Sequence, residues 1–178
     1  VDNQIGVTGI AHGATAKTVS YYGTTTSNGL NQAVGYSAAG NFILLEVQIS
    51  GPGGYAPVEW DRATFDVIRV ATGMGIHVFE AAGNGSQNLD DVKWGDRFNR
   101  SKYDSGAVMC AASNGKSLLP AGFTNFGSRI DAHGWGYNVT SAGYGSLHRG
   151  AGEHQYYTAT FSGTSSASPI VTSAGIVI

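Results

Sequence analysis

The chain has 178 residues, 42% of them apolar and 12% charged, with 27 glycines and a net charge of −2. That length supports one domain with its own hydrophobic core, and the charge fraction is well below the roughly 25% of ordinary globular domains. The near-neutral balance leaves no electrostatic footprint for nucleic acid, no apolar run approaches the roughly 20 residues of a membrane span, and a lone cysteine, Cys110, excludes an intrachain disulfide.

In chain order, Ala16 to Tyr22 (AKTVSYY) reads as a strand after a turn near Gly13. Asn28 to Ala39 reads as a weak helix, capped by Ser27 or Asn28 and stopped at Gly40. Phe42 to Gln48 (FILLEVQ) is a nearly continuous apolar run of strand length. Asp61 to Met74 is the clearest helix. There Phe65, Ile68 and Thr72 share one face, Val67, Val70 and Ala71 widen it, Asp61 caps the start and Gly75 ends it. Ile76 to Ala82 is the next strand and runs into the turn Gly83-Asn84-Gly85. A polar stretch from Ser86 to Ser105 precedes a strand at Ala107 to Ala112, where Cys110 reads as a small buried hydrophobe. A short strand is expected over Arg129 to Ala132, and from Gly163 a loop enters a helix.

Strands alternating with helices imply parallel βαβ units, whose sheets are covered on both faces. The expected fold is therefore α/β, a mostly parallel sheet flanked by helices. In such sheets functional residues gather at the carboxyl ends of strands, which directs attention to Gln48–Gly54 and Gly83–Ser86. No internal repeat or linker interrupts residues 1–178, so one domain is the simplest reading.

The segment Phe161 to Pro169 (FSGTSSASP) crowds small residues around serines at a helix start. Unspent N–H groups and the helix dipole favour negative charge there, although a serine-rich helix cap is the plain reading. Gly163-Thr164-Ser165-Ser166-Ala167-Ser168-Pro169 resembles the nucleophile block of the subtilisin-like (subtilase) serine peptidases. Val78 to Gly85 (VFEAAGNG) resembles that family's strand ending in Ala-Ala-Gly-Asn, Ile5 to Ala14 (IGVTGIAHGA) its Gly-Val-x-Gly-(Val/Ile)-Ala-Pro-x-Ala stretch, and Phe123 to Gly136 (FTNFGSRIDAHGWG) its Phe-Ser-x-x-Gly-x-x-(Ile/Leu)-Asp segment. His12 stands where the family has proline, and His133 and Trp135 are read as structural.

The resemblance implies an endopeptidase acting through an acyl-enzyme on Ser165. The Asn84 side chain and the Ser165 backbone N–H would stabilise the oxyanion. It also implies a peptide or protein substrate, no cofactor for the chemistry and a secreted location. Ser50 and Gly51 would form one wall of the specificity pocket, and Ala82 and Gly83, with Asn84, the other. The family's Asp-Ser/Thr-Gly and His-Gly-Thr-His motifs lie ahead of the Ile5 block, so neither is expected in this chain. The chain is accordingly expected to be a partial subtilisin-like domain, truncated at both ends, with the missing N-terminal segment as a possible partner.

His148 and His154 are the candidates for a substitute base within the chain, with polar loop residues as the plain reading. Asp90, Asp91, Asp96 and Asp104 are oxygen donors for a structural calcium of the kind subtilases often bind, with solvated loop carboxylates as the alternative. His148, Glu153 and His154 fit no zinc spacing, so no metal site is expected from them. Gly51–Gly54 (GPGG) lacks the Lys-Ser/Thr of a phosphate loop. The rival to a peptidase is a non-catalytic chain that only binds peptide or a complementary segment. A glycine-rich carbohydrate-binding β domain conflicts with the helix at Asp61 to Met74.

Overall fold

The computed structural model describes residues 5–178. Its elements follow from local signals that can be named. Helix α1 spans Thr26–Gly35 and begins where the Thr25 hydroxyl accepts the Asn28 N–H. Helix α2 spans Arg62–Gly73, and the Asp61 carboxylate accepts the Thr64 N–H at 2.8 Å and its hydroxyl at 2.7 Å. Phe65, Ile68 and Ala71 recur at helical spacing and are buried. Gly75, at φ +79°, turns the chain out of α2 and into the next strand.

The main sheet contains β1 (Phe42–Leu45), β4 (His77–Ala81), β5 (Val108–Asn114) and β7 (Ala132–Trp135), all parallel, with β6 (Leu119–Pro120) antiparallel on β5. The register pairs Ile43 with Val78, Ala81 with Cys110 and Cys110 with Ala132. Strand side chains alternate between faces. Ile43, Leu45 and Val78 therefore meet Leu30 and Val34 of α1 and Ile68 and Ala71 of α2 in one core. On the other face lies α3 (Thr164–Val177), whose Gly175 sits against Phe42 and Phe79. A Cβ on Gly134 of β7 would collide with the Ala167 backbone, so glycine is what lets α3 approach this strand.

Between β1 and α2 the chain makes a hairpin, β2 (Gln48–Gly51) with β3 (Gly54–Pro57). A separate antiparallel sheet contains β8 (Val139–Ala142), β9 (His148–Arg149) and β10 (Tyr156–Phe161).

Several expectations shift. Residues 16–22 form no strand and are almost wholly exposed. A strand pattern needs a ladder partner for its N–H and C=O groups, and β4 is the only strand paired with β1 among the described residues. The first helix starts earlier than expected, because Thr25 rather than Ser27 or Asn28 is the cap, and it ends earlier, at Gly35, with Tyr36 as its C-cap. FILLEVQ is not one strand: β1 stops at Leu45, and Gln48 opens the hairpin. The strand expected at Arg129 begins at Ala132 instead, since Arg129 is drawn into a buried ion cage.

Candidate active site

The β4–β5–β7 sheet delivers the Gly83-Asn84-Gly85 turn to the N-terminus of α3. Gly83 has φ +90° and Gly163 has φ +129°, both values that favour glycine. Asn84 is held from three directions. Its backbone N–H donates to Gln48 Oε1 at 2.8 Å. Its Oδ1 accepts the Thr164 N–H at 2.8 Å and the Thr164 hydroxyl at 3.0 Å. The Gly83 N–H in turn donates to Thr164 Oγ1 at 3.2 Å. With Oδ1 spent on Thr164, the Nδ2 donor of Asn84 is left to act elsewhere.

It faces Gly163. A Cβ placed on that glycine would lie 3.3 Å from Asn84 Nδ2 and 3.5 Å from the Ser165 backbone nitrogen. The two nitrogens thus border one space, which a side chain at position 163 would fill. Ser165 sits in the first turn of α3, where backbone N–H groups have no helical acceptor. The turn therefore presents donors to a developing anion.

The neighbouring serines have other duties. Ser166 Oγ donates to Gly163 O at 2.9 Å and is buried. Ser162 Oγ accepts the Asn138 N–H at 3.1 Å. Ser168 is fully buried. Ser165 is partly exposed, and its hydroxyl has no hydrogen-bond partner among the described residues. Of the four, it is the one both reachable and free.

Sequence reasoning missed three supports of this turn: Gln48, Thr164 and Asn125. Asn125 is fully buried. Its Nδ2 donates to Ala82 O at 2.7 Å and Tyr55 O at 2.8 Å, and its Oδ1 accepts the Gln87 N–H at 2.9 Å. One carboxamide thus ties β3, the end of β4 and the 83–87 turn together. Its position inside FTNFG was the available signal, but a polar residue beside glycine reads as an ordinary turn.

The expected pocket walls have separate fates. Ser50 is exposed on the hairpin. Gly51 faces the buried ring of Trp94, which a Cβ there would meet at 2.7 Å. Ala82 is fully buried in the same cluster as Trp94, Leu89 and Phe98. Gly83 is at the turn beside Asn125 Nδ2. The supposedly polar stretch 86–105 therefore supplies core.

Beneath β4 lies a buried ionic cage. Arg129 Nε donates to Glu59 Oε1 at 2.8 Å, Nη1 to Asp131 at 2.7 Å and Nη2 to Ala107 O at 3.0 Å. Burial opposes the Arg129 charge, but Glu59, Glu80 and Asp131 outweigh it and hold the guanidinium above its usual range. Burial pushes the Glu80 carboxyl well above the usual carboxylate range, the Glu59 charge adds to this, and Arg129 at 3.8 Å only partly offsets it. Burial and the nearby Glu80 and Asp131 also push the Cys110 thiol up to about 12. Cys110 is therefore an inert core group.

No histidine joins Ser165. His148 lies in β9 with its ring 6.4 Å from that of Tyr157, His154 stands beside Gly152, and His77 stacks on Phe42. His12 and His133 are exposed. The string Asp104-Ser105-Gly106 does spell Asp-Ser-Gly, which was not expected, but it falls after the Asn84 turn. Asp104 accepts the Gly106 N–H at 2.9 Å, and Ser105 bonds Glu59 in the cage.

The four loop aspartates are not brought together. Asp90 accepts from Ser128, Asp91 from the Lys93 N–H, Asp96 pairs with Lys102 at 2.6 Å and Asp104 pairs with Arg100 at 3.7 Å. Among the described residues, no three His, Cys, Asp or Glu side chains cluster as a metal set. No helix of the described residues is long and apolar enough to cross a membrane.

No family model and no curated protein matches this chain. Solved structures do. Proteases from Pseudoalteromonas arctica match at 25% identity over 96% of this chain and 52% of theirs, with a TM-score of 0.65. A cold-adapted subtilisin-like serine proteinase matches at 18% identity over 90% of this chain and 50% of its own, with a TM-score of 0.60. The nisin leader peptidase of Lactococcus lactis matches at 14% identity over 84% of this chain and 50% of its own, with a TM-score of 0.56. This chain therefore has the mixed, mostly parallel fold of the subtilisin-like serine proteases, across about half the length of those proteins.

Proposed function

We propose that this chain carries the nucleophile and oxyanion site of a serine endopeptidase, as the C-terminal part of a subtilisin-like catalytic domain. The observation that carries the reading is that Asn84 Nδ2 and the Ser165 backbone nitrogen both border the space left by Gly163, with Asn84 Oδ1 occupied by Thr164. In the reaction Ser165 Oγ attacks the peptide carbonyl carbon, and the carbonyl π pair moves onto oxygen between those two donors. A histidine, oriented by an aspartate, takes the hydroxyl proton and returns it to the departing amine as the C–N bond breaks. Water then hydrolyses the acyl-enzyme by the same steps. Both of those groups come from a segment of the same domain outside the 178 residues, which is the natural partner of this chain. The substrate class is peptide, in keeping with a neighbour named as a leader peptidase. The domain functions outside the cell, as the family resemblance implies.

A second reading rests on the same missing base. Alone, the 178 residues bind peptide or the complementary segment and turn nothing over.

Labelling with a fluorophosphonate probe, followed by peptide mapping, tests the proposal. The chain alone should label at a background rate. A 1:1 mixture with a subtilisin-type N-terminal half should label at Ser165, and Ser165→Ala should abolish the signal. Asn84→Ala should slow peptide turnover by the mixture by ~10²–10³-fold with little change in KM, as loss of one oxyanion donor does. No labelling of Ser165 in a folded mixture would leave the binding reading in place.

A further inference from the structure

Away from Ser165, a cleft opens between α2 and the loop that precedes β5. Arg62, Phe65, Arg69, Lys102, Tyr103 and Asp104 line it, and its volume is about 210 Å³, well above the roughly 10–15 Å³ that admits one water. The Phe65 ring, 2% exposed, is its floor. Three guanidinium groups surround that one ring: Arg62 at 5.3 Å from the centroid, Arg97 at 5.9 Å and Arg69 at 6.0 Å. Tyr103 meets Phe65 edge-on at 6.4 Å, with Arg97 a further 5.4 Å above the Tyr103 ring.

These cations are unequally neutralised. Arg62 pairs with Asp66 at 3.1 Å, Lys102 with Asp96 at 2.6 Å, and the cleft's own carboxylate, Asp104, is engaged by Arg100. Arg69 and Arg97 have no ion-pair partner among the described residues. Arg97 Nε and Nη2 are enclosed against the aromatic rings without a hydrogen bond. A chain of net charge −2 therefore concentrates uncompensated positive charge around one aromatic floor. Cation–π contact stabilises each guanidinium singly, but it does nothing for their mutual repulsion, which an anion between them would remove. Guanidinium forks present paired donors that match oxyanion geometry.

We propose that this cleft is a binding site for a small tetrahedral oxyanion of the phosphate or sulfate class. Arg62 and Arg69 supply the direct donors, Lys102 stands at the mouth, and Arg97 supplies positive potential from behind the Phe65–Tyr103 pair. Asp104 limits the site to compact anions, because a larger polyanion would meet its charge.

The test is a titration of the folded chain with sodium phosphate, with sodium chloride adjusted to constant ionic strength, followed through the arginine side-chain Nε–H resonances. The expected result is saturable movement of the Arg62 and Arg69 signals at millimolar phosphate, accompanied by a rise in Tm. Sulfate should compete, and acetate should not. Arg69→Gln, an exposed substitution whose fold is verified by circular dichroism, should weaken the affinity at least tenfold, whereas Arg149→Gln, in β9, should leave it unchanged. Non-saturating shifts equal to those produced by chloride would overturn the proposal, as would an Arg69→Gln variant that binds phosphate like the parent.

Discussion

Glu80 is the clearest case of a residue whose chemistry depends on where the chain carries it. In β4 it would pass for one polar member of an apolar strand, yet it is fully buried beside Glu59. The one nearby cation, Arg129, is already spent on Glu59 and Asp131, so burial prevails and the Glu80 carboxyl is held well above the usual carboxylate range. The sign of the pH dependence follows. Below the unfolded carboxyl pKa, near 4.5, both states hold the proton and the full stability is present. As pH rises, the unfolded chain ionises first, so stability falls until the pH passes the raised folded value. Glu80→Gln removes that loss while keeping an acceptor for the Glu59 N–H. Its Tm advantage over the parent should grow from pH 4 to pH 8, as thermal unfolding at each pH would reveal. A difference independent of pH would mean that Glu80 is ionised in the fold.

Among the elements, α2 was the most legible, because its signals are local. A capping aspartate, an apolar face at helical spacing and a terminal glycine all lie within the segment itself. Asp61→Ala should therefore cost about 0.5–2 kcal/mol, the usual worth of such a cap, read from urea unfolding with an unchanged m-value. The reverse holds for residues 16–22. Their composition suits a strand, but strand structure is completed by a neighbour, and none is present along them among the described residues. The sheet of β8, β9 and β10 was unforeseen for a related reason. Its pairing joins segments separated by turns, with a register shift between Thr158 and Phe161, so no alternation survives in the sequence.

At the scale of the whole molecule, Asn125 shows how distant segments are held in one geometry. Its carboxamide links β3, the end of β4 and the turn that carries Asn84, over sequence separations of 70, 43 and 38 residues. Asn125→Ala would take the partner from Ala82 O, which is buried, and from Tyr55 O and the Gln87 N–H, which are part-buried, at about 1–3 kcal/mol for a group left unsatisfied in the interior. The expected total loss is about 3 kcal/mol or more in chemical denaturation, along with slower probe labelling of Ser165 in the reconstituted mixture. Stability and labelling both at parental values would show that the turn is held without it.

What the sequence determined by itself is what depends on neighbours in the chain. That includes the order of the motif blocks, the glycines flanking Asn84 and the one two residues ahead of Ser165, the α2 helix and an apolar strand pattern that demands a covered parallel sheet. Only the tertiary structure decided that Asn84 Oδ1 is occupied by Thr164, leaving Nδ2 to face Gly163. It alone decided that Trp94 fills the space beside Gly51 and that Arg129 is caged rather than part of a strand. The physical reason is common to all three. Hydrogen-bond direction, ring placement and charge pairing are set by groups brought together across tens of residues, and no local pattern records which of several possible partners the fold will supply.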